Sequence, residues 1–188
     1  YPADNPAWLD DQDPRRGSPE FAYSDHKRLV EEMLADYRRR HPALRQLVLR
    51  PGTVLGEGTR NQITALFERK RILAIAGSDS PFVFIWDRDV VGAIAQGVES
   101  GAQGVYNLAG DGALSVRRVA AILDKPLLVL PAGLLGAALW LGHRLGLTPH
   151  TPAKLNFLRY RPVLDNRRLK EEFGYRPVTQ KVKLCRRM

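Results

Sequence analysis

The 188-residue chain has a single cysteine, Cys185, so no internal disulfide can form, and a reducing, cytoplasmic setting is the expectation. Four histidines, His26, His41, His143 and His150, share no metal-ligand spacing with one another or with Cys185, so no metal site is expected. Zinc-finger, RRM and KH signatures are absent, and so are internal repeats and low-complexity tracts. Nucleic acid is therefore not an expected partner. The opening Tyr1-Pro2-Ala3-Asp4-Asn5-Pro6 lacks a basic leader pattern and reads as mid-chain text, which makes a fragment of a longer protein the expectation. The one long apolar stretch, Leu127 to Leu147, is broken by Pro131, by four glycines and by His143-Arg144. A membrane span needs about 20 predominantly apolar residues, so a helix beginning at Pro131, buried or interfacial, is the better reading. Weak peripheral membrane association stays open.

The composition is that of a globular protein, 44% hydrophobic and 26% charged, with a formal net charge of +9. The first 25 residues are acidic, through Asp4, Asp10, Asp11, Asp13, Glu20 and Asp25 against Arg15 and Arg16. The remainder is strongly basic. Its basic runs, at Arg38-Arg39-Arg40, Arg69-Lys70-Arg71, Arg117-Arg118 and Arg167-Arg168, read mostly as polar faces of amphipathic helices. A cleft for a phosphorylated small molecule would also account for some of them.

Residues 1–17 read as an irregular leading loop. Ser18-Pro19 then supplies a helix start, and Val30, Met33, Leu34 and Tyr37 recur at helical spacing up to Arg40. Residues 46–50 form a short continuous apolar run closed by Pro51-Gly52, as expected of a strand buried on both faces in a parallel sheet. A loop over 51–58 precedes a helix carrying Ile63, Leu66 and Phe67, and extended segments follow at 71–77 and 82–86. Asp87 or Asp89 is placed to cap a helix with Val90, Ile94 and Val98. A strand at 104–108 leads through Gly110-Asp111-Gly112 to a helix capped by Ser115 and ending near Lys125. Asp165 is placed to cap a last helix that stops at Gly174. Helices and short strands alternate, so the fold class is α/β.

One pentapeptide carries chemistry. In Tyr23-Ser24-Asp25-His26-Lys27 the first and last residues stand four apart, on one helical face. A phenol is a poor base at neutral pH, but a neighbouring ammonium favours its ionised form and makes proton exchange with a substrate hydroxyl feasible. The same spacing also arises in ordinary surface pairs.

Phe21 to Lys27 resembles the Tyr-x-x-x-Lys helix of the extended short-chain dehydrogenase/reductase family, the NAD-dependent epimerase/dehydratase group. Leu47-Val48-Leu49-Arg50-Pro51-Gly52-Thr53-Val54-Leu55-Gly56-Glu57-Gly58 resembles the strand and loop that follow it there. Phe82 to Trp86 with Asp89-Val90, Val105 to Gly110 with Leu114-Ser115, and Asp165 to Leu169 with Phe173 to Pro177 resemble its later segments, in the same order. The resemblance implies a partial Rossmann-like parallel sheet, its C-terminal half, with a smaller, mainly helical substrate-binding region. Residues 1–60 would carry the catalytic helix, strand and cofactor loop, and 61–188 the remaining Rossmann elements interleaved with the substrate region. NAD or NADP would be the cofactor and a hydroxyl- or carbonyl-bearing small molecule, such as a sugar nucleotide, the substrate. Tyr23 would be the general acid/base, and Lys27 would hold the nicotinamide ribose. Pro51, Gly52, Thr53 and Val54 would contact the nicotinamide, with Thr53 also facing substrate.

The chain departs from the family in three places. No GxxGxxG turn follows an early strand, so the element that seats a pyrophosphate on a helix N-terminus is not in these residues. Trp86 stands where the family carries His, and Ser80-Pro81 stands where sugar-nucleotide members often carry Arg. A redox-sensing or binding relative that does no catalysis, and a basic polyanion-binding module, are the alternative readings. Self-association into a homo-oligomer is left open.

Overall fold

The structure is a computed structural model and describes residues 8–14, 22–79, 81–148, 155, 159, 161 and 163–178. Among the described residues, the bounded helices are α1 (Ala22–Arg40), α2 (Gln62–Phe67), α3 (Asp87–Ser100), α4 (Val116–Ile122), α5 (Ala132–Arg144) and α6 (Arg167–Glu171). Its strands are β1 (Leu47–Pro51), β2 (Thr53–Leu55), β3 (Ile72–Ile75), β4 (Phe84–Trp86), β5 (Gly104–Leu108) and β6 (Leu127–Leu130). They pair in parallel as β1–β5, β2–β4 and β3–β6, with Leu47 opposite Gly104, Thr53 opposite Phe84 and Ile72 opposite Leu127. Parallel pairing demands crossover connections, and α3 supplies the packed helix between β4 and β5. The fold is Rossmann-like α/β: α6 packs on β5, α3 on β2 and β4, and α2 and α4 on β3.

The apolar residues collect into two main clusters. Leu55, Phe67, Ile72, Phe82, Phe84 and Trp86 pack with Val116 and Val119 of α4. Ile85, Ala93, Tyr106, Leu108, Leu169 and Phe173 form the second, between β5, α3 and α6. The period of two along β4 divides the clusters: Phe84 and Trp86 face the first, and Ile85 faces the second.

Several local expectations are corrected. Residues 51–58 are not all loop, because Thr53–Leu55 form β2 against β4. Leu127–Leu130, ahead of the Pro131 start, form β6. The helix that follows has no buried residue, which corrects its buried reading. Neither aspartate caps α3: Trp86 holds the N-cap position without a side-chain bond. Asp89, buried within the first turn, instead accepts from the Val178 N–H (2.9 Å) and the Tyr175 hydroxyl (3.3 Å). Burial and that carboxylate push the Tyr175 hydroxyl up to about 12. At the last helix the N-cap is Asn166, and Asp165 accepts from the Arg167 N–H (2.8 Å) in a turn just ahead of it. Ser115 does cap α4, accepting from the Arg118 N–H. β1 is half-buried rather than covered on both faces, and among the described residues it pairs with β5 alone. Val30, Met33 and Tyr37 of α1 are likewise exposed. The Ser18-Pro19 helix start and Cys185 lie outside the described residues.

Within the leading stretch, residues 8–14 are tied to the sheet and to the last helix. Leu9 bridges Leu164 in parallel, and the Leu9 N–H donates to the Val163 carbonyl (2.7 Å). Asp11 is buried and accepts the Asn107 N–H of β5 at 2.6 Å, while Arg168 approaches its other oxygen at 3.4 Å. The segment thus closes the edge of β5 that faces away from β1.

Candidate functional site

Two side-chain contacts fix how α1 lies against β1. The Arg38 guanidinium, late in the helix, donates to Gln46 (3.2 Å) just before the strand. Glu31, two turns earlier, takes a forked pair of bonds from Arg50 near the strand's end, the shortest 2.6 Å. Glu31 to Arg38 spans about 10 Å along a helix, and Gln46 to Arg50 about 13 Å along a strand. Helix and strand therefore run antiparallel. One to two further turns toward the start of α1 reach Lys27 and Tyr23, and the next residues beyond Arg50 are Pro51 to Val54. The register thus brings the Tyr23/Lys27 end of the helix and the 51–54 segment to the same end of β1, the carboxyl end of the parallel pair. Ligands of open α/β sheets bind at that end.

Tyr23 is 61% exposed, and the Lys27 ammonium stands 5.8 Å from the centre of its ring. The two groups share one face of α1, as the spacing predicts. Asp25, between them, is engaged elsewhere, accepting both Nε (3.1 Å) and Nη2 (2.9 Å) of Arg28. Arg28 also reaches Glu32 (2.6 Å), and its guanidinium is held strongly charged by these two carboxylates. Ser24 is buried against the body.

The 51–54 segment is held by the sheet. The Gly52 N–H donates to the Leu108 carbonyl (3.0 Å) and the Thr53 N–H to the Val83 carbonyl (2.8 Å), so the chain crosses here from the β1–β5 pair to the β2–β4 pair. A side chain at Gly52 would press its Cβ to 3.0 Å from the Val83 oxygen. Gly110, at the end of β5, stands in the same relation to β4: its N–H donates to the Phe84 carbonyl (2.8 Å), and a Cβ there would meet that oxygen at 2.8 Å. These two glycines let the ends of β1 and β5 close on β4, which sets the floor of the site. Asn61, beyond the loop, ties β2 to α2: its amide donates to the Val54 carbonyl (2.8 Å) while its oxygen caps the helix.

Below the carboxyl end lies a polar centre that the sequence reading did not single out. Asn107 of β5 is buried and donates to the carbonyls of Leu9 (2.9 Å) and Asp165 (3.1 Å). Asp11, at its backbone, has its carboxyl pushed up to about 6 by burial, against the opposing pull of the Asn107 N–H and of Arg168. Asn107, Asp165 and Arg168 stood in segments marked by resemblance and Asp11 in an acidic run, but neither signal distinguishes a buried polar contact from a solvated one. Among the described residues no group of three or more His, Cys, Asp or Glu side chains is placed to hold a metal ion.

The arrangement is that of a Rossmann-like α/β fold with a reachable phenol and ammonium at the carboxyl end of its parallel strands. No family model matches the chain. Uncharacterized proteins of Mycobacterium tuberculosis and Mycobacterium bovis are 23% identical to it over 153 residues, which is 79% of this chain and 39% of each of them. Among solved structures, UDP-glucose 4-epimerase from Thermotoga maritima, with UDP-glucose, superposes with a TM-score of 0.60 at 18% identity, over 88% of this chain and 50% of that one. The Thermus thermophilus UDP-glucose 4-epimerase complex with NAD gives 0.61 at 21% identity, over 90% and 53%. RMD from Pseudomonas aeruginosa, complexed with NADPH, gives 0.55 at 17%, over 87% and 53%. The chain thus spans 39% of the curated relatives it matches and about half of these structures, and the likeness establishes its fold.

Proposed function

We propose that these residues are the C-terminal, catalytic half of an NAD(P)-dependent epimerase, dehydratase or dehydrogenase of the extended short-chain type. The observation that carries this reading is the antiparallel register of α1 on β1, which brings Tyr23, Lys27 and the 51–54 segment to one end of the sheet. Fold neighbours that hold NAD and NADPH support it.

The residues present suit the nicotinamide-ribose end of such a cofactor. Tyr23 and Lys27 are reachable from solvent, and the narrow Gly52 crossing leaves the backbone itself as the wall. A bound nicotinamide cofactor would supply hydride transfer. Within this chain, the Tyr23 hydroxyl gives a proton to, or takes one from, the substrate oxygen. The Lys27 ammonium holds a ribose hydroxyl. Because the N–H groups of Gly52 and Thr53 are committed to the sheet and the Val54 carbonyl to Asn61, contact with a carboxamide falls to the other carbonyl oxygens of the segment, which accept from its NH2 group. The Thr53 hydroxyl serves a substrate oxygen. The pyrophosphate would be seated by a glycine-rich turn outside these residues.

Turnover in the protein that joins this chain to its dinucleotide-binding half tests the reading. Tyr23→Phe should lower kcat by about 10²–10⁴, the usual cost of lost acid–base catalysis, with cofactor affinity nearly unchanged. Lys27→Ala should weaken both. Normal turnover by Tyr23→Phe would sink the assignment.

A further inference from the structure

We propose that α5 is a membrane-docking helix that lies flat on an anionic lipid surface. This stands apart from the catalytic reading and rests on different residues. Helix α5 contains no polar side chain before His143 and Arg144 in its last turn. Its half-buried residues, Ala132, Leu135, Gly136, Leu139 and Gly142, fall on one side. The opposite side carries Leu134, Ala137, Leu141 and Leu145, at steps of three and four, and the three leucines are 60%, 51% and 61% exposed. Trp140 flanks this stripe and is exposed as well, with the Arg144 guanidinium 5.6 Å from its ring. Leu147, just beyond, is exposed too. A helix on a protein's surface ordinarily turns its polar side outward, whereas this one turns out a continuous apolar stripe, and such stripes mark interaction surfaces.

Charge selects the occupant. From Lys125 to Leu164 the sequence has no Asp or Glu, and the exposed Arg144 stands at the end of the stripe. An apolar stripe set in a segment of one positive sign matches an anionic lipid surface. There the leucines enter the acyl boundary, Trp140 sits at headgroup level and the exposed Arg144 meets a lipid phosphate. Length sets the orientation. No helix among the described residues is long and apolar enough to cross a membrane, and 13 residues of α5 extend about 20 Å against a hydrocarbon core of about 30 Å. The helix therefore lies on a bilayer rather than through it.

The test is co-sedimentation of the 188-residue chain with phosphatidylcholine vesicles, with and without about a third phosphatidylserine. The chain should partition onto the anionic vesicles about tenfold or more tightly than onto the neutral ones, and about 0.5 M salt should weaken that binding. Brominated lipid should quench a fluorescence component that is missing in Trp140→Phe. Leu134→Glu combined with Leu141→Glu should reduce binding at least about tenfold with the far-ultraviolet circular dichroism unchanged. Should that double variant fail to fold, Arg144→Glu, an exposed change, and the quenching of the unaltered chain carry the decision. Three outcomes overturn the proposal. One is failure to bind anionic vesicles. Another is salt-sensitive binding in which Trp140 stays unquenched, which would be adsorption through another basic surface. The third is a dimer dispersed by the leucine changes in a chain that ignores vesicles, which would make the occupant a second copy.

Discussion

Asp11 illustrates how a single carboxylate can be held by an N–H and a cation and still be expensive to ionise. Its oxygens accept from the Asn107 N–H and face Arg168, but the loss of water outweighs both, and its carboxyl rises to about 6 from an ordinary value of 3.8. A folded-state pKa above the unfolded one means that the folded protein binds this proton more tightly. The stability it contributes is full below the ordinary value and is lost as pH climbs through 6. The shift corresponds to roughly 3 kcal/mol for this group. Urea unfolding between pH 4 and 7 should therefore show a loss of stability attributable to Asp11. In Asp11→Asn, whose side-chain oxygen can still accept the Asn107 N–H, the dependence over this window should flatten, with stability at neutral pH equal to or above the parent's. An unchanged slope would mean that water reaches the carboxylate.

At the scale of elements, the close approach of β5 to β4 depends on Gly110. A methyl group there meets the Phe84 carbonyl, a backbone atom with no rotamer to yield, at 2.8 Å. Gly110→Ala should cost about 1–3 kcal/mol in chemical denaturation, the range for forced overpacking. Wild-type stability would show that the strand ends separate freely. This glycine was legible only as part of a turn, and the pattern of success elsewhere has the same cause. Sequence periodicity located α1, α3, β1 and β5 because each has a local signature in apolar spacing, proline or glycine. Tyr23 and Lys27 were legible because their relation is contained within one helix. The segment Leu127–Leu130 gave no comparable signal: a four-residue apolar run ahead of an apolar helix has no period of its own, and only pairing with Ile72–Ile75 makes it a strand. Thr53–Leu55 became a strand for the same reason, through Phe84–Trp86. Asp87 and Asp89 look alike as helix caps, and what separates them is a partner far along the chain, since Asp89 is claimed by Tyr175 and Val178. Interactions that cross the fold decide what local propensity leaves open.

For the molecule as a whole, β4 decides whether two apolar clusters behave as one. Its three residues are all buried, with Phe84 and Trp86 in the cluster that includes Leu55, Phe67 and Val119, and Ile85 in the cluster with Ala93, Leu108 and Leu169. Neither side can lose this strand without stripping the other of a wall, so the two should unfold together. Ile85→Ala removes side-chain volume from the second cluster only, at a cost of about 2–5 kcal/mol for a buried aliphatic truncation. Because domains of this size are stable by only about 5–15 kcal/mol, that is a large share of the total. Trp86 is buried in the first cluster, while Trp8 and Trp140 are exposed, so the change in tryptophan emission on unfolding reports chiefly on the cluster the substitution does not touch. In urea, the emission midpoint of Ile85→Ala should fall by the same amount as the far-ultraviolet circular dichroism midpoint, with the two curves superimposed. If Trp86 kept the parent's midpoint while the helical signal was lost earlier, the clusters would be independent, and the 51–54 segment that joins the two strand pairs would be a hinge rather than a rigid floor.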